Sequence, residues 1–184
     1  MTDKNNLIST NGIQLKDAFV VVITTEWNSN LVTQLEMGCK KVLQNNKVTY
    51  QIITVPGAFE IPFAIHKYWE NIKAAEEEDL LDEEFLSDIE KLDKYKPKKI
   101  VCPDAFIALG CVIKGDTPHF DYVCTGVTQG IANLNTSLPV PTIYGVLTVN
   151  SIAQAEERLG GAHGHKGEEA AAAAIKMIAM VQAL

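Results

Sequence analysis

A chain of 184 residues, 47% hydrophobic and with a formal net charge of −7, is long enough for one well-buried core and too short for two comfortable domains. It holds no run of about 18 apolar residues to span a bilayer, no signal-peptide start, and no basic stripe with interleaved aromatics to bind nucleic acid. Cys39, Cys102, Cys111 and Cys124 fall at irregular spacings without a C-x-x-C pair, the pattern of a reduced, cytoplasmic protein with small buried thiols rather than of a disulfide scaffold or zinc site.

After an amino-terminal arm, Ala18 to Thr25 is a short β-rich apolar run and predicts a buried strand. It ends in Glu26-Trp27-Asn28. Asn28 or Ser29 is placed to cap a helix in which Leu31, Leu35, Cys39, Val42 and Leu43 recur at helical spacing. A second strand, Tyr50 to Val55, runs into Pro56-Gly57 and a helix through Phe59, Ile61, Phe63, Ile65, Tyr68 and Trp69, with Pro62 tolerated in its first turn. Between Glu76 and Asp93 lie ten carboxylates and one lysine, a local charge of −9, so the rest of the chain carries +2. This acidic stretch, an insertion at about 74–99, reads as a solvated amphipathic helix or a surface insertion within one domain covering 1–184.

Ala105 to Ile113 predicts the third strand, a helix follows from His119 to Asn135, and Thr142 to Val149 predicts the fourth strand. A short helix (Ile152 to Leu159), a glycine-rich kink (Gly160 to Gly167) and an alanine-rich helix to Leu184 complete the chain. Strands alternating with helices predict a three-layer α/β sandwich: a four-stranded parallel sheet in the flavodoxin-like order 2-1-3-4, helices on both faces. Ligands of such sheets bind at the carboxyl ends of the strands, beside a switch in strand order.

Those ends carry unusual residues. Trp27 stands where the first strand leaves the sheet, either as a core-edge tryptophan or as a ring platform. After Pro56-Gly57 the N–H groups of Ala58 and Phe59 face outward, and Glu60 is there as a helix-dipole partner or as an acceptor for a ligand's N–H groups. In Cys111 to Tyr122, Gly115 permits a tight turn that aims the N–H groups of Asp116 and Thr117 outward at a helix start, a natural seat for a phosphate dianion. His119 lies one turn on; an imidazole ordinarily titrates near 6.5, suited to proton transfer. Tyr144 offers a second aromatic near the end of the fourth strand. Arg158, His163, His165 and Lys166 gather before the last helix. The two histidines have no third ligand at a convincing spacing for a metal, so anion binding is the better reading, the guanidinium fork matching phosphate oxygens.

Taken together, Glu26-Trp27-Asn28, Val55 to Pro62, Ala108 to Val123, Tyr144 to Thr148 and His165 to Ala171 resemble the 6,7-dimethyl-8-ribityllumazine synthase family, of bacterial type. The motifs stand in family order and cover the chain apart from the arm and the acidic stretch. The resemblance implies a cofactor-free condensation of a ribityl-aminopyrimidine with a four-carbon keto-phosphate. It implies Trp27 stacked on the pyrimidine, with Ala58, Phe59, Glu60, Cys111, Val112 and Ile113 around it. It further implies Asp116, Thr117, Arg158 and Lys166 on the phosphate, and His119 as the proton-transfer group. Tyr144 stands where the family has a substrate-contacting phenylalanine. Tyr144, Arg158 and Lys166 are implied to come from the adjacent subunit of a homo-oligomer, a pentamer or a sixty-subunit shell. Ala162 and His165 depart from the lysine and asparagine frequent in relatives. A flavin- or lumazine-binding carrier without catalysis and a phosphate-sensing module are the alternatives from other classes.

Overall fold

The computed structural model describes residues 9–85 and 100–184. The acidic stretch from 86 to 93 therefore lies outside the described residues. β1 (Phe19–Thr25), β2 (Thr49–Val55), β3 (Ala105–Ile113) and β4 (Thr142–Val149) form one parallel sheet in the order β2-β1-β3-β4, as predicted. β-branched apolar runs form these strands because their side chains pack on both faces of the pleat.

Successive strand residues supply opposite layers. Val20, Val22, Ile107 and Leu109 meet Leu31, Leu35 and Leu43 of helix α1 (Ser29–Asn45) and Ala171, Ile175 and Ile178 of the carboxy-terminal helix. Val21, Ile23, Phe106 and Ala108 meet Ile61 and Ile65 of α2 (Ile61–Phe85) and Val127 and Ile131 of α3 (His119–Ser137). Full burial of each such aliphatic or aromatic side chain contributes about 1.5–3 kcal/mol, so the sheet's centre is the rigid part from which its loops project. Asn135 locks α3 to β4, its amide donating to the Thr142 carbonyl and its carbonyl accepting the Thr142 N–H.

Four local expectations are corrected. Asn28 does not cap α1 with its side chain; its backbone is left-handed (φ 57°, ψ 39°) and its amide reaches elsewhere. Helix α2 runs on to Phe85, so the acidic run begins as a continuation of that helix rather than as a separate element. The helix predicted from Ile152 to Leu159 stops at Glu156 (α4, Ile152–Glu156), capped by the Ser151 hydroxyl accepting the Gln154 N–H. The predicted kink is a small antiparallel hairpin, β5 (Leu159–Gly161) with β6 (Gly164–His165), before α5 (Lys166–Ala183). Gly160 and Gly164, at φ 108° and 83°, supply backbone that side-chain-bearing residues rarely adopt. Gly167 belongs to α5, where a Cβ would stand 1.9 Å from the Leu35 carbonyl oxygen; its bareness lets α1 and α5 touch.

Among the described residues, no helix is long and apolar enough to cross a membrane.

Candidate active site

A cleft of about 230 Å³ opens at the carboxyl edge of the sheet, where strand order switches between β1 and β3. Trp27 and Asn28 enter it from the end of β1, Ala58 from the turn after β2, and Cys111, Val112 and Ile113 from the end of β3. Gly115 and Thr117 precede α3, whose first turns add His119, Phe120 and Val123. A larger, open, polar hollow of about 550 Å³ lies between 10–13 and the Lys41–Glu168 ion pair, but it gathers none of the predicted site residues.

Trp27 is 63% exposed, which rules out the core-edge reading. Its N–H donates to the Pro56 carbonyl and its ring lies over Gly57. A Cβ at position 57 would stand 2.9 Å from that ring and 3.0 Å from Glu60 Oε2. Gly57 is extended (φ −143°, ψ 178°), so the requirement there is space rather than backbone freedom. Ala58 to Glu60 form a single 3-10 turn without a side-chain cap, and Glu60 Oε2 is buried with no hydrogen-bond partner. A carboxylate oxygen left so is costly unless a ligand completes it. Capping therefore does not account for Glu60. Phe59 is exposed and packs against Gly126 of α3, outside the cleft's immediate lining.

Helix α3 starts at His119 with Pro118 as its N-cap and no side-chain cap. Asp116 thus does not cap the helix. The N–H groups of Asp116 and Thr117 have no partner among the described residues, which leaves an unsatisfied, electropositive helix start beside the His119 imidazole. Gly115 has an ordinary negative φ, and a Cβ there would meet nothing within 4 Å. It leaves that wall of the cleft unobstructed and does not need left-handed backbone.

The remaining predicted residues do not join this cleft within the chain. Tyr144 lies in the first half of β4, opposite Ala108, not at the strand's end. It is half-buried, with its hydroxyl 3.2 Å from that of Thr128, and burial pushes its pKa up. Arg158 and Lys166 flank the hairpin. The Arg158 guanidinium donates to Glu169 Oε2 at 2.7 Å and to the His163 carbonyl, and Lys166 Nζ is 3.8 Å from the same Glu169 oxygen. Between them His165 packs on Gly38 of α1 and its Nδ1 accepts the Glu168 N–H, capping α5. Burial lowers the His165 pKa, an effect larger than the opposing pull of Glu168.

All four cysteines are free, with Cys39 and Cys111 buried. Burial pushes Cys39 up to about 12 and Cys111 up to about 11, so the cleft's thiol is neutral and no nucleophile. Among the described residues no group of three or more His, Cys, Asp or Glu is placed to hold a metal ion. The sequence reading missed Asn28, Phe120 and Val123. Val123, one helical turn from both His119 and Phe120, was the available signal for those two.

Fold and cleft define a flavodoxin-like α/β protein with a cleft at its strand-order switch. The sequence profile of the 6,7-dimethyl-8-ribityllumazine synthase family matches residues 17–80 and 88–182, and the chain belongs to that family. It is 43% identical to the 6,7-dimethyl-8-ribityllumazine synthase of Bacteroides fragilis, over 89% of this chain and 96% of the relative. It is 41% identical to that of Porphyromonas gingivalis (88% and 84%) and 39% identical to that of Parabacteroides distasonis (85% and 82%).

Proposed function

We propose that the chain condenses 5-amino-6-(D-ribitylamino)uracil with 3,4-dihydroxy-2-butanone 4-phosphate to 6,7-dimethyl-8-ribityllumazine, a late step of riboflavin biosynthesis. The observation that carries this reading is the cleft itself. It is lined by an exposed indole and an imidazole, with the helix start of Asp116 and Thr117 at one side and the unpartnered Glu60 Oε2 next to Trp27 at Gly57.

In this reading the pyrimidine lies along Trp27 between Ala58 and Val112, with Glu60 accepting its N–H or ribityl hydroxyl hydrogens. Phe59 closes the outer edge. The Asp116 and Thr117 N–H groups, with the Thr117 hydroxyl, take the phosphate. The pyrimidine's amine attacks the ketone, and loss of water gives an imine. Phosphate then departs, and ring closure releases a second water. His119 carries protons between these steps, and binding both substrates in one cleft replaces a bimolecular encounter by an oriented one. The C–N bond formations, the two losses of water and the departure of phosphate need only proton transfer and stabilisation of a leaving anion, which side chains and backbone dipoles serve without a cofactor.

Arg158, Lys166 and Tyr144 reach a cleft only when another copy presents them. The chain therefore acts as a homo-oligomer, a pentamer or a sixty-subunit shell, in the cytoplasm. Four aromatics, Trp27, Phe59, Phe63 and Tyr122, are exposed, Trp27 in the cleft itself, and support a covering neighbour. The acidic stretch is a peripheral insertion in a single domain; the family profile's gap at 81–87 falls inside it.

The test is to mix both substrates with purified protein and follow lumazine fluorescence. Rapid, protein-dependent appearance is the expected result. Tight flavin binding without turnover would instead make the protein a carrier, and a functional monomer by light scattering would remove the shared site.

A further inference from the structure

β1 and β3 run in register only from Val20↔Ala105 to Ile23↔Ala108, whereas β3 continues to Ile113 against β4. Past Ala108 the ladder between the two central strands ends; Thr25 still packs at Gly110, and the cleft lies beyond that contact. The Asn28 side chain spans it. Asn28 Nδ2 donates to the Cys111 carbonyl at 2.8 Å, joining the chain leaving β1 to a position 83 residues on.

The backbone around Asn28 is organised for that reach. Its left-handed φ of 57° turns the chain sharply after Trp27, a conformation that asparagine tolerates better than most residues. Its own carbonyl accepts the Leu31 and Val32 N–H groups and so starts α1. On the other side Trp27 is fixed by its N–H on Pro56 and by the Thr25 hydroxyl donating to its carbonyl. With the side chain spent on Cys111, α1 goes without a side-chain cap, although asparagine is among the best capping residues.

We propose that Asn28 is a positioning residue: its amide bridge to Cys111 sets the separation between the Trp27 wall and the Cys111–Ile113 wall, and thereby the affinity for the flat ring of the pyrimidine substrate. The inference rests on the proposed function for the identity of that ring. The phosphate end of the cleft, built from the turn before α3, does not depend on the bridge.

Asn28→Gly tests it, because glycine keeps the left-handed backbone and removes only the amide. Asn28→Asp, of the same size and without the donor, is the second variant. Both should bind 6,7-dimethyl-8-ribityllumazine about tenfold more weakly by calorimetry and raise the pyrimidine's KM alike, the cost of one hydrogen bond to a part-buried carbonyl. The keto-phosphate's KM should stay within twofold. Hydrogen exchange of the free variants should speed up over 26–32 and 111–113 while the β1 core keeps its protection. Unchanged lumazine affinity, or an equal rise in both KM values, overturns the proposal. If the wild-type chain itself bound no lumazine, the assigned function would fall. The exchange contrast would then still decide the bridge, because uniform exchange across those segments contradicts it whatever the ligand.

Discussion

The cleft at the β1–β3 switch and the hairpin around Arg158 show two ways of preparing functional groups. In and beside the cleft the groups hang on backbone fixed by the buried sheet, and several are left unsatisfied: Glu60 Oε2, and the N–H groups of Asp116 and Thr117. At the hairpin every cation already has a partner, Arg158 and Lys166 both turning to Glu169. A half-site with open valences is poised for a ligand. One whose charges are neutralised internally is held in shape without a ligand. On the proposed function, the difference teaches that one copy of this fold builds half a site at each of two places.

Substitutions sharpen that contrast. His119→Ala strikes the open half and should lower kcat about a hundredfold, a typical acid–base contribution, with substrate affinities largely kept; stopped-flow turnover measures it, and an unchanged kcat would take the proton-transfer role from His119. Arg158→Ala strikes the closed half and should raise the keto-phosphate's KM roughly fiftyfold, the scale of a lost charge-assisted hydrogen bond. An effect confined to the pyrimidine would contradict the assignment. Gly57→Ala should raise the pyrimidine's KM about tenfold, since the added methyl overpacks against Trp27 and Glu60; a crystal structure of the variant with both side chains unmoved would refute that cause.

The smallest effect concerns His165. Its folded-state pKa is lowered by burial, so the unfolded chain takes up its proton first as the pH falls. Stability should be fully present above about 6.5 and diminish below it, until the folded imidazole also protonates and the Glu168 cap is lost. His165→Asn keeps a capping side chain and removes the titration, so thermal melts at pH 5 and pH 7 should differ less for the variant than for the parent. Equal differences would mean that another group sets the slope.

Strand order, layer composition and most of the cleft were legible because they follow from long apolar runs and from residues just past strand ends. Trp27, Ala58, Cys111, Thr117 and His119 were all found in that way and do meet. What escaped is non-local or too short to have a period. Asn28 looks like a cap from its neighbours, and only a partner 83 positions away shows otherwise. The hairpin strands span three and two residues, below any alternation, and glycines that usually mark a loose turn here make a tight one. Tyr144 was placed near the end of the fourth strand, yet it lies third in β4, which runs on to Val149 in register with β3.

The claim that one subunit's cleft works with another's hairpin is tested most directly by co-expressing His119→Ala and Arg158→Ala chains. Each variant alone should be nearly inactive at low keto-phosphate. Random mixing should restore about a quarter of wild-type activity, the share of interfaces that combine an intact cleft with an intact hairpin. A mixture no more active than the mean of its two parents would contradict the account.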